Sequence, residues 1–446
     1  MRVVLISTYE LGRQPFGLAS PAAWLRAEGH EVTAVDVSRQ PLPKSVVESA
    51  DGIAFFLPMH TATRLALPLV ERLRAANPRA ALCGYGLYAP LNESLLREAG
   101  VETVIGGEFE EGLIEWARGQ SPEHISLKRQ QFRVPDRTGL PPFNAYARLV
   151  TIGGPKSVGY TEASRGCKHL CRHCPVVPVY RGTFRIVQPE VVLKDVRQQV
   201  AAGAEHITFG DPDFLNGPGH AITVVEALHR EWPGLTYDIT VKIEHLLKHR
   251  DLLPVLRQTG CVLVVSAVES LDDAVLERLA KGHTRADFLE ALRLTRSAEL
   301  PLSPTFIPFH PWTTLDGYRA FLRELVELGL AEQVAPVQLA IRLLIPEGSL
   351  LLDLPEIRAL VEPFDARALC YPWRSELDGL ASAVQAYISG EDKRNATRRE
   401  IFRGIWGLAG GRELPAFPAA NAPVAPHLTE PWYCCAEPTE EQAGLV

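Results

Sequence analysis

Short, continuous apolar runs alternate with longer amphipathic stretches along most of this 446-residue chain. Val3–Ser7 is the first such run, the pattern of a parallel strand buried on both faces. Val32–Val37, Gly52–Leu57, Ala80–Cys83 and Val101–Ile105 repeat it. Helical periodicity fills the gaps at Ser20–Gly29, Ser45–Ala50, Ala62–Ala76, Asn92–Ala99 and Glu108–Arg118, with Asn92 in an N-cap position. About five parallel strands wound with helices predict a doubly wound, Rossmann-like α/β domain over residues 1–120.

Residues 121–158 break the pattern with Pro, Gly and basic residues and read as an irregular linker. Alternation then resumes over residues 159–355 with the longer repeat of a β/α barrel. Strands are expected at Gly159–Ala163, His206–Phe209, Tyr237–Thr240, Val262–Ala267, Leu302–Phe306 and Val337–Leu344. The helices between them are Pro189–Ala202, Ala221–Glu231, His249–Thr259, Asp273–Leu279 and Thr284–Ser297. Six such units make a partial (β/α)6 barrel, with chemistry expected at the C-terminal ends of its strands. Residues 356–412 form a helical extension, and residues 413–446 a mobile Pro- and Ala-rich segment that ends in a cysteine-containing tail.

Composition narrows the setting. Hydrophobic residues make up 46% of the chain, enough for a sizeable core at this length. A net charge of −7 with no basic patch argues against nucleic acid as the main partner. The start, MRVVLISTYE, reads as a strand and not as a signal peptide. With no window of about 18 apolar residues, no membrane span is expected. Eight clustered cysteines do not form a secreted disulfide framework, so a reducing cytoplasm is the expected compartment.

Three of those cysteines, Cys167, Cys171 and Cys174, stand as Cys-x₃-Cys-x₂-Cys in TEASRGCKHLCRHCP. Three thiolates this close can hold three corners of a [4Fe–4S] cube and leave the fourth iron open. A zinc site completed by His169 or His173 is the alternative. The spacing, after the extended run YTEAS and an Arg-Gly turn, resembles the radical S-adenosylmethionine (SAM) superfamily. That resemblance implies a [4Fe–4S] cluster whose open iron chelates the amino and carboxylate groups of SAM. It also implies an electron donor such as flavodoxin or ferredoxin.

The resemblance extends to the strand ends. His173 stands where the family has an aromatic residue on the adenine. Gly210, Asp211, Asp213 and Phe214, in FGDPDFLN, fit the turn that holds the SAM amino group; the alternative is a loop in which Asp213 caps a turn. Glu269, with Ser266 and Ser270, matches a carboxylate near the SAM ribose hydroxyls, and Ser270 also suits a helix N-cap. Arg165 is either a SAM carboxylate ligand or a solvated loop residue. Lys281–Thr284 reads mainly as a turn with Thr284 as N-cap, and His283 as a base is the alternative. His310 and Trp312 follow a strand end, where they would line a substrate pocket, and Arg342 requires a carboxylate partner.

The N-terminal domain resembles the cobalamin-binding domain that often precedes a radical SAM core, VIGGEFEEGL matching its last strand-to-helix junction. The loop after the first strand, TYELGRQPFG, carries no histidine for a cobalt ion. Both alternatives therefore stand: cobalamin as a further cofactor, or a docking domain without it.

The tail carries the adjacent pair Cys434 and Cys435 in YCCAEP. Such thiols can form a vicinal disulfide or chelate a soft metal or metalloid. The ending resembles the CUAEP/CCAEP-tail radical SAM subfamily, in which selenocysteine can stand at the position of Cys435. A related group with another cysteine-rich tail looks like an arsenic-handling family. The implied activity is SAM cleavage that modifies a small-molecule or metalloid substrate held by Cys434 and Cys435. A cobalamin-dependent methyltransferase of organic substrates and a redox or metalloid sensor are the alternatives. Cys83, Cys261 and Cys370 read as buried core residues.

Overall fold

The computed structural model describes residues 1–392, 394–414, 416–417 and 425–430. Its first sheet contains β1 (Arg2–Ser7), β2 (Glu31–Asp36), β3 (Gly52–Phe56), β4 (Ala81–Tyr85), β5 (Thr103–Gly107) and β6 (Ile125–Ser126). All pair in parallel in the order β2-β1-β3-β4-β5-β6. The expected five strands are present, and the start of the expected linker adds a sixth. Helices α1 (Phe16–Ala27), α2 (Lys44–Ser49), α3 (His60–Ala76), α4 (Glu93–Glu98) and α5 (Glu110–Ala117) cover the faces. In α3, Leu65, Ala66, Leu69, Val70 and Leu73 are buried at helical spacing, which is why this stretch is an amphipathic helix. Asn92 precedes α4, but its side chain makes no cap; its amide donates instead to Tyr88 O at 2.9 Å.

The second sheet runs β14-β13-β12-β11-β8-β7-β15. Its parallel core is β8 (Lys156–Thr161), β11 (His206–Phe209), β12 (Thr236–Thr240), β13 (Cys261–Glu269) and β14 (Leu302–Phe306). The linker strand β7 (Arg148–Val150) pairs antiparallel with β8, and β9 (Ser164–Gly166) forms a separate ribbon with β10 (Phe184–Ile186). Helices α6 (Val176–Tyr180), α7 (Pro189–Ala201), α8 (Pro218–Glu231), α9 (Ile243–Lys248), α10 (Leu253–Gln258), α11 (Asp273–Arg278), α12 (Arg285–Ser297) and α13 (Leu315–Glu327) complete the barrel. The expected sixth strand, Val337–Leu344, is not formed. Pro336–Leu339 is a 3₁₀ turn, and only Arg342 makes a parallel bridge, to Phe309. Pro336 lacks the N–H that a ladder requires, and Arg342 turns out to Asp378 and the Trp373 carbonyl.

The C-terminal extension contains α14 (Pro355–Leu360), α15 (Asp378–Asp392) and α16 (Arg398–Leu408), the last with a Thr397–Glu400 capping box. Within the segment read as mobile, β15 (His427–Leu428) docks antiparallel on β7. Glu430 then reaches the N-terminal domain, where Tyr9 Oη donates to it and Arg39 lies 3.4 Å away. Gly12 accommodates this carboxylate, since a side chain at that position would collide with it. Cys434 and Cys435 lie outside the described residues. Among those residues, no helix is long and apolar enough to cross a membrane.

The C-terminal ends of the two parallel sheets face each other. One hydrophobic cluster runs across the junction, from Tyr9, Leu57 and Tyr88 to Ile307, Ile341 and Leu343. Polar ties reinforce it. Arg137 of the linker forks onto buried Asp195 at 2.9 Å through both its Nε and Nη2, and donates to Gln14 and Tyr160 O.

Candidate active site

The cysteine loop leaves the barrel where β8 ends and the short ribbon of β9 and β10 begins. Gly166 precedes Cys167 with φ of 74°, packed where a side chain would strike the Tyr180 ring and the Thr183 carbonyl. Glycine is therefore required for the turn that starts the loop. Asn216 braces the turn, accepting from Lys168 N at 3.2 Å and donating to Gly166 O at 3.4 Å. Cys174 N bonds Cys171 O at 3.1 Å, and Arg172 N bonds Leu279 O at 2.9 Å. Cys167 and Cys171 are buried, Cys174 is half-buried, and none of the three is in a disulfide. Burial pushes the Cys167 thiol up to about 11, so a metal taking this sulfur displaces a proton.

Cationic and imidazole groups surround these sulfurs. Lys242, just past the end of β12, places Nζ 3.5 Å from Cys171 Sγ. Lys281 Nζ and His173 Nε2 converge on Glu269 Oε1 at 3.2 and 3.1 Å. Burial raises the Glu269 carboxyl, but Lys281 and His173 outweigh it and hold the group down at about 2. Burial likewise lowers Lys281, and Glu269 reverses the effect, so the ammonium is held above its usual range. His283, buried beside Lys281 and Lys242, is pushed down to about 4, first by burial and then by the two ammonium groups. Two lysine charges thus stand beside the thiols, Lys281 paired with Glu269 and Lys242 lying 4.0 Å from the half-exposed Glu244.

Most of the remaining expected residues find partners within the protein. Asp211 accepts from Ala163 N at 2.9 Å and Ser164 Oγ at 2.6 Å, and burial pushes it up to about 7. Asp213 caps the turn at Leu215 N and meets His245 Nδ1 at 2.6 Å and His169 Nε2 at 3.3 Å. Burial raises Asp213, but the two histidines win and hold it below the usual carboxylate range. His169 is thus engaged by Asp213, and Cys167, His169 and Asp213 together place ligand atoms within 4.8 Å of one another. Phe214 packs on Phe209 in the core, centroids 4.7 Å apart. Gly210 lies directly under the Tyr160 ring. Ser266 is fully buried on β13, and its Oγ has no hydrogen-bond partner among the described residues. Ser270 Oγ accepts from Asp272 N at 3.1 Å, while Asp272 itself caps α11.

Arg165 is engaged by carboxylates of the protein itself. It is buried on Glu162 at 2.6 Å, Glu110 at 2.7 Å and Glu108 at 3.3 Å. Thr284 forms the expected N-cap, within a full capping box with Asp287. His310 and Trp312 stand together, centroids 5.6 Å apart, in a cavity of about 200 Å³ that also touches Glu269 and Ser270. Sequence reasoning did not single out Lys242 or His245. A lysine directly after the apolar strand run TYDITV, at the C-terminal end of a barrel strand, is the signal that marks Lys242.

Comparison with known proteins agrees with this geometry. Residues 161–325 match the Radical SAM superfamily, so the chain carries a radical SAM domain. It is 23% identical over 167 residues to the hopanoid C-3 methylase of Methylococcus capsulatus, covering 37% of this chain and 32% of that protein. It is 24% identical over 369 residues to the tRNA-2-methylthio-N(6)-dimethylallyladenosine synthase of Thermus thermophilus, covering 76% of this chain and 71% of that one. The chain thus spans about a third of the first relative and somewhat more than two thirds of the second. The structure of the cobalamin-dependent SAM radical enzyme OxsB with aqua-cobalamin bound superposes with a TM-score of 0.65. That likeness covers 92% of this chain and 71% of OxsB, and at 14% identity it is a likeness of fold. Radical SAM homologues are enzymes, and they use a [4Fe–4S] cluster and SAM.

The residues present fit those two groups. Three soft thiols converge from one loop; among the described residues the other cysteines, Cys83, Cys261 and Cys370, are buried in cores and leave the set at three. Lysine ammonium groups beside the thiols suit an anionic cluster and a carboxylate. A corrinoid is not fitted in the same way, because the strand ends of the N-terminal sheet are packed with aromatic rings.

Proposed function

We propose that this chain is a radical SAM transferase that alkylates a soft, thiolate-held substrate, a trivalent metalloid such as arsenite, carried by Cys434 and Cys435. The cluster, when bound by Cys167, Cys171 and Cys174, supplies the electron that breaks a carbon–sulfur bond of SAM. Lys242 and Lys281 neutralise charge on the thiolate side and offer partners for the SAM carboxylate. Glu269, held ionised by Lys281 and His173, is a carboxylate acceptor for ribose hydroxyls, and His173 offers the adenine a flat ring. Asp211 and Asp213 hold the loop and its turn in place. An electron donor such as flavodoxin or ferredoxin completes the system.

The observation that carries the reading is the anchored base of the tail. β15 is paired onto the barrel sheet, and Glu430 is seated on the loop after β1. Cys434 follows Glu430 by four residues, a span of about 14 Å at full extension. Glu10 of that same loop lines the cavity between the two sheet ends. Glu430, the last described residue before the thiol pair, is thus held on the loop that lines this cavity.

An anaerobic incubation of reconstituted protein with reductant and SAM, with and without arsenite, tests this. Arsenite-dependent formation of an alkylated arsenical is the expected result, with methylthioadenosine as coproduct if the aminocarboxypropyl group of SAM is transferred, or methionine if the deoxyadenosyl group is. SAM cleavage that is indifferent to arsenite, or an unchanged product yield in Cys435→Ala, would remove the metalloid from the reading.

A further inference from the structure

We infer that the N-terminal domain takes no corrinoid and serves as a fixed wall of the barrel mouth. In an open α/β sheet, ligands enter at the C-terminal ends of the strands, at the point where strand order reverses. Here the reversal lies between β1 and β3. A corrinoid carries a wide macrocycle and a nucleotide tail. It therefore needs either open space above the strand ends or a slot between the sheet and the helices on one face.

The slot is filled by three rings. Phe56 ends β3, Tyr85 ends β4, and Phe109 follows β5 by two residues. Their centroids form a triangle of 5.5, 5.9 and 5.1 Å, and the three side chains are at most 6% exposed. The Phe56 ring rests on Gly17 of α1, where any side chain would collide with it, and Tyr85 Oη donates to Gly17 O at 2.8 Å. Ser20 Oγ on α1 donates to Glu110 Oε1 on α5 at 2.6 Å, closing the two helices over the rings. Large apolar side chains packed to core density leave a nucleotide tail no path between sheet and helix.

The space above the strand ends is narrowed by the barrel to a small cavity. Arg165, two residues before Cys167, inserts between Glu108 and Glu110 at the end of the N-terminal sheet and Glu162 of the barrel. Phe16, Phe109 and Phe132 surround its guanidinium at 5.6, 4.9 and 5.0 Å. Tyr180 Oη donates to Glu108 at 3.1 Å. A cavity of about 170 Å³ lies beside this network, well under the ~300–1,000 Å³ typical of sites for smaller ligands. The loop from Thr8 to Gly17 carries no histidine to meet a cobalt ion. This chain therefore shares the fold of cobalamin-dependent enzymes, while the end of its first sheet holds the cysteine loop in place through Arg165.

The test reads bound corrinoid and not turnover, so it stands apart from the metalloid reading. Anaerobically reconstituted full-length protein, with its iron content verified in the same sample, is dialysed to equilibrium against excess hydroxocobalamin. A parallel sample is dialysed against cobinamide, which lacks the nucleotide tail. After gel filtration, retained corrinoid is measured by its visible spectrum. Less than half an equivalent per chain in both arms is the expected result. Half an equivalent or more of hydroxocobalamin overturns the inference, and the same amount of cobinamide alone overturns it for the mouth above the strand ends.

Discussion

Two parallel sheets in this chain present their C-terminal ends to each other, and the two ends are filled in different ways. The N-terminal end is closed by rings and paired charges: Phe56, Tyr85 and Phe109 pack ring on ring, Tyr85 satisfies its hydroxyl on α1, and Glu108 and Glu110 meet Arg165. The barrel end is polar and charged: three thiols, Lys242, Lys281, His173 and Glu269 lie within a few side chains of one another. Aromatic packing stabilises by itself. Buried charges cost free energy unless they are paired, and here Lys281 pairs with Glu269 while Lys242 lies between Glu244 at 4.0 Å and Cys171 Sγ at 3.5 Å. The same architecture thus serves stability at one end and chemistry at the other, and only the side chains distinguish them.

The largest expected effect breaks the comparison cleanly. Cys171→Ser replaces a soft thiolate with a hard hydroxyl and should abolish the cluster's visible absorption and most bound iron, with little change in the apoprotein's unfolding free energy. Phe56→Ala should do the reverse. It removes a buried ring from the triangle and should cost about 3–5 kcal/mol in denaturant unfolding, while cluster reconstitution per folded chain is retained. If Phe56→Ala lost the cluster without losing stability, the division between the two ends would be wrong.

A smaller effect probes the boundary between them. Glu108 sits with Glu110 and Glu162 around a single guanidinium, and burial pushes its carboxyl up to about 7 despite Arg165. A carboxyl whose folded pKa exceeds its ordinary value of 4.5 is penalised in the folded state once ionised. Stability therefore falls as pH rises from 4.5 to 7 and levels off above that, by about 3 kcal/mol in total. Glu108→Gln removes this penalty. Its unfolding free energy relative to the parent should improve as pH is raised from about 5 to about 8, read by denaturant titration at each pH. A constant difference across that range would show that Glu108 is ionised throughout.

Much of this contrast is legible in the sequence, though unevenly. The cysteine spacing and the periodicity of both sheets identify the elements because they are local signals: a run, a spacing, a cap such as Thr284. What local pattern does not carry is which partner a polar group finds. Arg165 reads equally well as a ligand of SAM, yet it spans about 55 residues of sequence back to Glu110. Asp211 and Asp213 have the composition of a ligand turn, but their oxygens are taken by Ser164, Ala163, His169 and His245. The expected strand at Val337–Leu344 fails in part for the same reason, since Arg342 turns to Asp378 and the Trp373 carbonyl, while Pro336 starts a 3₁₀ turn and offers no N–H to a ladder.

The smallest expected effect concerns the segment that touches both ends. Glu430 and Arg39 are partly exposed, at 25% and 31%, so their pairing contributes at most about 1 kcal/mol to stability. Its consequence lies in where the chain is held. With β15 on the barrel and Glu430 on the loop after β1, the four residues to Cys434 start from a fixed point; without the pin, the fixed point retreats to Thr429, whose N–H bonds Arg148 O at 2.9 Å, and the accessible volume grows. Glu430→Gln should therefore leave the unfolding midpoint nearly unchanged and accelerate alkylation of Cys434 and Cys435 by a maleimide several-fold, read by mass spectrometry of the C-terminal peptide. The cysteines of the assembled cluster act as the internal reference, since thiolates bound to iron do not react at the same rate. Equal tail labelling in parent and variant would mean that the carboxylate does not restrain the tail, and that β15 alone brings the soft thiols to the polar end.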